Sequence, residues 1–243
     1  MSMLELTPDF IKEFAAYLST EAGLRNGSIW ANCMWLKGVV MKAHYNGLIP
    51  RNPFIQFHIS PNVKEREYLT EDELKAVMTH EFADSKLAYI RDIFIFASFT
   101  ALSFVDIQEL TNDNIVEVNG EKWILSKRHK TKVAFQVKLL DIPLQIVERY
   151  RPMQKDNRIF PGLNYWSICK PLKRMIRECG ITKSISFHCS RHGFATLALS
   201  KGMPIESVSR VLGHTNIVTT QLYAKITTQK LDNDLTMFGD KLS

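Results

Sequence analysis

Apolar positions in the first part of the chain recur every three or four residues, the spacing of one helix face. Phe10, Phe14, Tyr17 and Leu18 follow Thr7-Pro8, a cap and a first-turn proline, and the pattern stops at Gly23. Ser28 opens a second segment, in which Trp30, Cys33, Leu36, Val40 and His44 repeat until Asn46-Gly47. Its aromatic and methionine side chains read as core. From 58 to 67, HISPNVKERE, the periodicity ends and Pro, Asn and mixed charge take over, the composition of a connection between two lobes.

A longer block follows. Thr70 with Glu73 three residues on has capping-box spacing, an apolar helix is predicted over about 87–101, and a short one through 104–110. Between about 114 and 139 the period changes to that of strands. Asn119-Gly120, the strongest short hairpin signal, sits between runs rich in Ile, Val and Trp, and a third strand over 133–139 follows the basic turn 127–132. Helices return at about 143–151, 169–179, 188–201, 204–212 and 216–226, with Gly180, Gly202 and Gly213 where they should stop. The pattern predicts a mainly α chain with one small antiparallel three-stranded sheet (α+β). It divides into a helical lobe over 1–60, a linker at 61–66 and a larger domain over 67–243.

Composition narrows this little. The chain has 243 residues and 45% hydrophobic content, ordinary for a globular protein. No apolar run approaches membrane-spanning length, and the N-terminus lacks a signal-peptide layout. Cys33, Cys169, Cys179 and Cys189 form no CxxC pair, so reduced thiols in a cytoplasmic protein are expected, with no membrane partner. Lys and Arg outnumber Asp and Glu by 31 to 25. That excess suits a nucleic-acid partner, with Lys37, Lys42 and Arg51 free to face a phosphate backbone, but ordinary enzymes share it.

Chemistry concentrates in the last quarter. SFHCSRHGFATL places His188 and Arg191 three apart on one helix face, LGHTN places His214 after a helix-stopping glycine, and TTQLYAKI places Tyr223 nine residues beyond it. Each alone has a bland reading: a histidine at a helix start is usually a structural hydrogen-bonder, and a tyrosine usually core or surface. Together, in this order and spacing, they resemble the C-terminal signature of the tyrosine recombinases, the phage-integrase family. The resemblance extends over most of the chain, including PRNPF before the linker. FASFTALSFVDIQELT and KTKVAFQVKLL are similar to integrases of conjugative transposons and other mobile elements of the Bacteroides group.

The resemblance implies cutting and rejoining of a double-stranded DNA attachment site through a 3′-phosphotyrosyl link to Tyr223. Arginine offers a planar, permanently charged fork to phosphoryl oxygens, the expected role of Arg191, and His214 would donate a further hydrogen bond. A tyrosine with pKa near 10 is about one part in a thousand ionised at pH 7, so a base is needed, for which His188 is the candidate. The resemblance gives Lys130, in the hairpin turn, the task of protonating the leaving oxygen. Lys127, Arg128 and Lys132 are rivals for it and candidate phosphate contacts. With no GxxxxGK[ST] loop and no acidic cluster, neither ATP nor a metal nor another cofactor is expected. Four protomers on two sites are implied, with room for an accessory DNA-bending protein. The segment after Tyr223 carries Leu231, Leu235 and Phe238 at helical spacing and is expected to dock on a neighbour or pack in cis.

The sequence departs from the family in two places. Where relatives carry a TGLR-type turn, this chain has Thr100-Ala101-Leu102-Ser103, with Ser103 in the arginine's place beside the substrate. Arg91 is the expected substitute, provided the chain turns back before Ser103, and Asp106 is expected to orient its neighbours. The N-terminal lobe is short for the family, which suggests a truncated or compact core-binding domain. Two rivals fit parts of the pattern. Zinc on His188, His192 and His214 lacks the glutamate of HExxH, because position 189 is Cys. A recombinase relative that binds DNA without cutting is favoured by Ser103 alone, and Tyr223 argues against it.

Overall fold

The computed structural model describes residues 3–60, 67–154, 156–224 and 228–240, so the predicted linker lies outside the described residues. The chain forms two compact units, Met1–Glu65 and Arg66–Ser243.

The first unit is built on α1 (Pro8–Thr20) and α2 (Asn26–Tyr45). Thr7 starts α1 as its sequence suggests: its hydroxyl accepts from the Phe10 amide at 3.1 Å, and Pro8 needs no partner in the first turn. Ile11, Val40, Ala43, Ile49 and Phe54 form one apolar cluster, and Leu18, Ile29 and Cys33 a second. The expectation that the aromatic residues of α2 are core fails at Trp35 and Tyr45, each 78% exposed. Both lie on the side of the helix away from Cys33 and Val40, which face α1.

The second unit wraps around α4 (Ser85–Thr100), which packs against α3 (Glu71–Thr79), α6 (Asp141–Tyr150), α7 (Tyr165–Glu178) and α8 (His188–Ser200). A helix covered on all sides must be apolar on all sides, as IFIFASF is. The predicted capping box at Thr70 forms, and Glu73 also accepts from Lys183 Nζ at 2.6 Å. α4 ends because Ala101 adopts a left-handed conformation (φ 55°), and Ser103 then caps the short α5 (Phe104–Gln108).

Strands β1 (Ile115–Val118), β2 (Glu121–Lys127) and β3 (Ala134–Lys138) pair antiparallel in that order. Asn119 and Gly120 both have positive φ, 52° and 77°, as a two-residue hairpin turn with the strands' twist requires. The register sets Ile115 opposite Ile124 and Ile124 opposite Val137. One face of the sheet thereby presents Ile124, Phe135 and Val137 to the helical core. α7 begins at Tyr165, four residues earlier than the periodicity suggests, because the Asn164 side chain accepts from the Trp166 amide at 2.9 Å and starts the helix there.

The chain then runs through α9 (Ile205–Leu212), α10 (Val218–Gln221) and α11 (Thr228–Asp240). The helix expected over 216–226 is only one turn long at α10. No described helix is long and apolar enough to cross a membrane.

Candidate active site

The site forms around the C-terminal end of α9. A helix leaves its last carbonyls without intrahelical donors and carries partial negative charge there. Gly213, left-handed at φ 62°, stops α9 and leaves the Val211 and Leu212 carbonyls to outside donors. Arg128 Nη2 donates to Val211 O at 2.6 Å, and Arg191 Nη2 donates to Leu212 O. Two guanidinium groups from distant parts of the chain are thus held at one helix end.

Each arginine has a second anchor. Arg191, on α8, donates from Nη1 to Ala101 O at 2.8 Å, the carbonyl exposed where α4 ends. Arg128 donates from Nη1 to Asp106 Oδ2 at 2.7 Å, and its guanidinium carbon lies 4.1 Å from the centre of the Phe135 ring. Each guanidinium spends one N–H from each terminal nitrogen on these anchors and keeps the other. Arg128 Nε is buried without an acceptor among the described residues. Burial lowers Arg128 from its usual pKa, against the pull of Asp106. Burial, with the Arg128 charge beside it, brings Arg191 down to about 10, opposed by Tyr223 and Asp106.

Asp106 is the acid that organises this end of the site. Burial would raise its pKa, but the His129 amide (2.9 Å), Arg128 and the Ser103 hydroxyl (2.8 Å) outweigh that and hold it below the usual carboxylate value. The Ser103 hydroxyl is committed to Asp106 and to capping α5.

His214 follows Gly213 directly. Its Nδ1 lies 2.8 Å from the hydroxyl of Thr220, which is fully buried. Burial, then the charges of Arg191 and Arg128, push its pKa down to about 4, so the ring is neutral at pH 7. Tyr223 packs at the end of α10 against the cluster formed by Ala101, Ala195, Leu199, Val208 and Leu212. Its ring centroid is 5.1 Å from His192, which lies 4.7 Å from His188. The described ring pairs thus run from Tyr223 to His192 and from His192 to His188.

The structure therefore brings together Arg191, His214, Tyr223 and Arg128, with His188 next to them through His192. Lys127, Lys130 and Lys132 are exposed on the β2–β3 turn that carries Arg128. Arg91, the expected substitute for the missing arginine, is engaged elsewhere. Its Nε donates to Asp92 at 2.9 Å, its Nη1 to His80 O at 2.8 Å, and it faces the Phe82 ring. The chain does turn back at Ala101, but α4 is one continuous helix between the two, leaving Arg91 about 15 Å along the axis from that end. The second guanidinium of the cluster is Arg128's. Sequence reading missed its burial, because a basic turn gives no sign of which member folds inward. It also missed Thr220 and the ring contact of His192.

Residues 67–230 match the phage integrase family, and residues 1–59 match the phage integrase SAM-like domain. The tyrosine recombinase XerA of Pyrococcus horikoshii is 32% identical over 67% of this chain and 58% of its own. The tyrosine recombinase XerC of Lactobacillus leichmannii is 25% identical over 88% of this chain and 77% of its own. Among solved structures, the Tn1549 transposon integrase in complex with circular intermediate DNA superposes with a TM-score of 0.81, covering 97% of this chain and 86% of that one at 18% identity. A lambda integrase dimer bound to a core site gives 0.73, covering 92% and 81% at 18% identity. The family model covers most of the chain, and the fold is that of the superposed integrases: this chain belongs to the phage integrase family of tyrosine recombinases.

Proposed function

We propose that the chain is a site-specific recombinase for integration or excision of a mobile element, cleaving and rejoining duplex DNA through Tyr223. The supporting observation is the pairing of Arg128 and Arg191 at the end of α9 beside His214 and the tyrosine. Two forks and a neutral imidazole donor suit a phosphodiester that gains negative charge on its nonbridging oxygens as it is attacked.

In this mechanism the Tyr223 oxygen forms a bond to phosphorus and the bond to the 5′-oxygen breaks. The phenolic proton leaves towards His188 and His192, and Lys130 supplies a proton to the 5′-oxygen. The phosphotyrosyl bond conserves the energy of the phosphodiester, so attack by a 5′-hydroxyl reverses the step without ATP. Metal and other cofactors have no part in it. The unit Met1–Glu65 acts as the core-binding lobe and Arg66–Ser243 as the catalytic one.

The working assembly is a homo-oligomer on DNA, four protomers in the synapse, and an accessory DNA-bending protein is compatible with it. Leu231, Leu235 and Phe238, exposed on α11, suit contact with a neighbour. The site of action is the cytoplasm. The first experiment uses a duplex selected from random sequence by binding to Tyr223→Phe, then nicked near the cleavage position and incubated with EDTA. A denaturation-resistant protein–DNA band with wild type, absent with Tyr223→Phe, is expected. Binding without any such band would favour the reading that the chain binds DNA but does not cut it.

A further inference from the structure

Thr220 has a fully buried hydroxyl whose hydrogen-bond partner among the described residues is His214 Nδ1, 2.8 Å away. That bond can run in either direction, and burial decides which. If Nδ1 carried the ring proton, the threonine proton would be buried without an acceptor, at a cost of roughly 1–3 kcal/mol. If Nδ1 is bare, the hydroxyl donates into it and both groups are satisfied. A neutral imidazole has one proton, so a bare Nδ1 places it on Nε2. Neutrality is itself favoured here, first by burial and then by Arg191 and Arg128, which oppose a third positive charge.

Thr220 also holds the nucleophile's segment. It lies on α10, three residues before Tyr223, and its carbonyl accepts from the Tyr223 amide at 3.0 Å. One residue thus touches the imidazole through its side chain and the tyrosine through its backbone. We propose that Thr220 is a positioning residue that fixes His214 as the Nε2–H tautomer and does so only while the tyrosine segment is docked. His214 is then a competent oxyanion donor when Tyr223 is in place to attack.

This rests on the reading of His214 as a phosphate-oxygen donor, and the experiment separates the two. Thr220→Val keeps the shape and removes the hydroxyl, and Thr220→Ser restores it. Long-range ¹H–¹⁵N spectra of the full chain at pH 7 report the His214 tautomer directly. Cleavage is followed on the selected nicked duplex at saturating DNA. With Thr220→Val, an Nδ1–H population should appear, the cleavage rate should fall roughly ten- to a hundredfold, and the DNA dissociation constant should hold. Thr220→Ser should restore both tautomer and rate. A single Nε2–H tautomer in Thr220→Val, or wild-type cleavage by it, overturns the proposal. His214→Gln cleaving at the wild-type rate would instead sink the donor reading, while the spectra still show whether Thr220 sets the tautomer.

Discussion

Arg128 occupies the space that a side chain at Gly213 would fill: a Cβ there would lie 2.9 Å from Arg128 Nε and 3.0 Å from its Cγ. The contact explains the glycine of LGH twice over, since its left-handed φ of 62° also disfavours any side chain. Gly213→Ala should cost about 1–3 kcal/mol of stability by denaturant titration. It should also reduce covalent-complex formation more than DNA binding, because the atoms displaced belong to the middle of Arg128. Cleavage at the wild-type level would mean that Arg128 can move without consequence.

Arg128 and Arg91 make opposite predictions. Arg128→Lys keeps a positive charge near Asp106 but loses the fork that spans Asp106 and Val211. Cleavage should fall at least a hundredfold, by analogy with the loss of one oxyanion donor. Arg91→Ala should leave the chemical step unchanged and lower only stability. Asp92, its partner, still has Arg149 at 2.6 Å and the Tyr150 hydroxyl at 2.8 Å. Single-turnover rates on the nicked duplex check both, and a reversed order would restore Arg91 as the substitute arginine.

This pair also shows how far the sequence could be read. The capping signals at Thr7 and Thr70, the Asn119-Gly120 turn and the helix-stopping glycines are local, and the elements they define lie close to where periodicity places them. His188, Arg191, His214 and Tyr223 could be singled out together because their spacing forms one motif. Arg128 could not be, because what singles it out is long-range. Asp106 lies 22 residues before it and Val211 83 after, and no local rule tells a basic turn which member will be buried. Thr220 was hidden for the same reason, since its significance depends on a hydroxyl being sealed from water. Arg91 misled because helix length alone could not say which partners it would meet.

His214 should give stability a distinct dependence on pH. Its folded pKa, about 4, lies below the unfolded value of about 6.5, so the unfolded chain binds the proton first as pH falls. The stabilisation from keeping the ring neutral is complete above pH 6.5 and is lost between there and pH 4. Melting temperature should therefore drop more steeply over that window in wild type than in His214→Gln. Parallel profiles would show that the imidazole charges as easily in the folded protein as outside it.

Lys130 can be separated from its neighbours by changing the leaving group. Lys127 closes β2 opposite Ala134, Lys132 has a left-handed backbone at φ 56°, and Lys130 sits between them in the turn that Arg128 anchors. If Lys130 protonates the 5′-oxygen, Lys130→Ala should cleave an ordinary phosphodiester slowly. A substrate with sulfur at the 5′-bridging position should then be cut at nearly the wild-type rate. A thiolate leaves without a proton, since thiols ionise near pH 8.5, so removing the acid no longer matters. Lys127→Ala and Lys132→Ala should show no such rescue, because a lysine that only neutralises phosphate is needed for either leaving atom. Rescue of one of those two instead would move the acid along the turn, and rescue of none would mean that the proton comes from outside it.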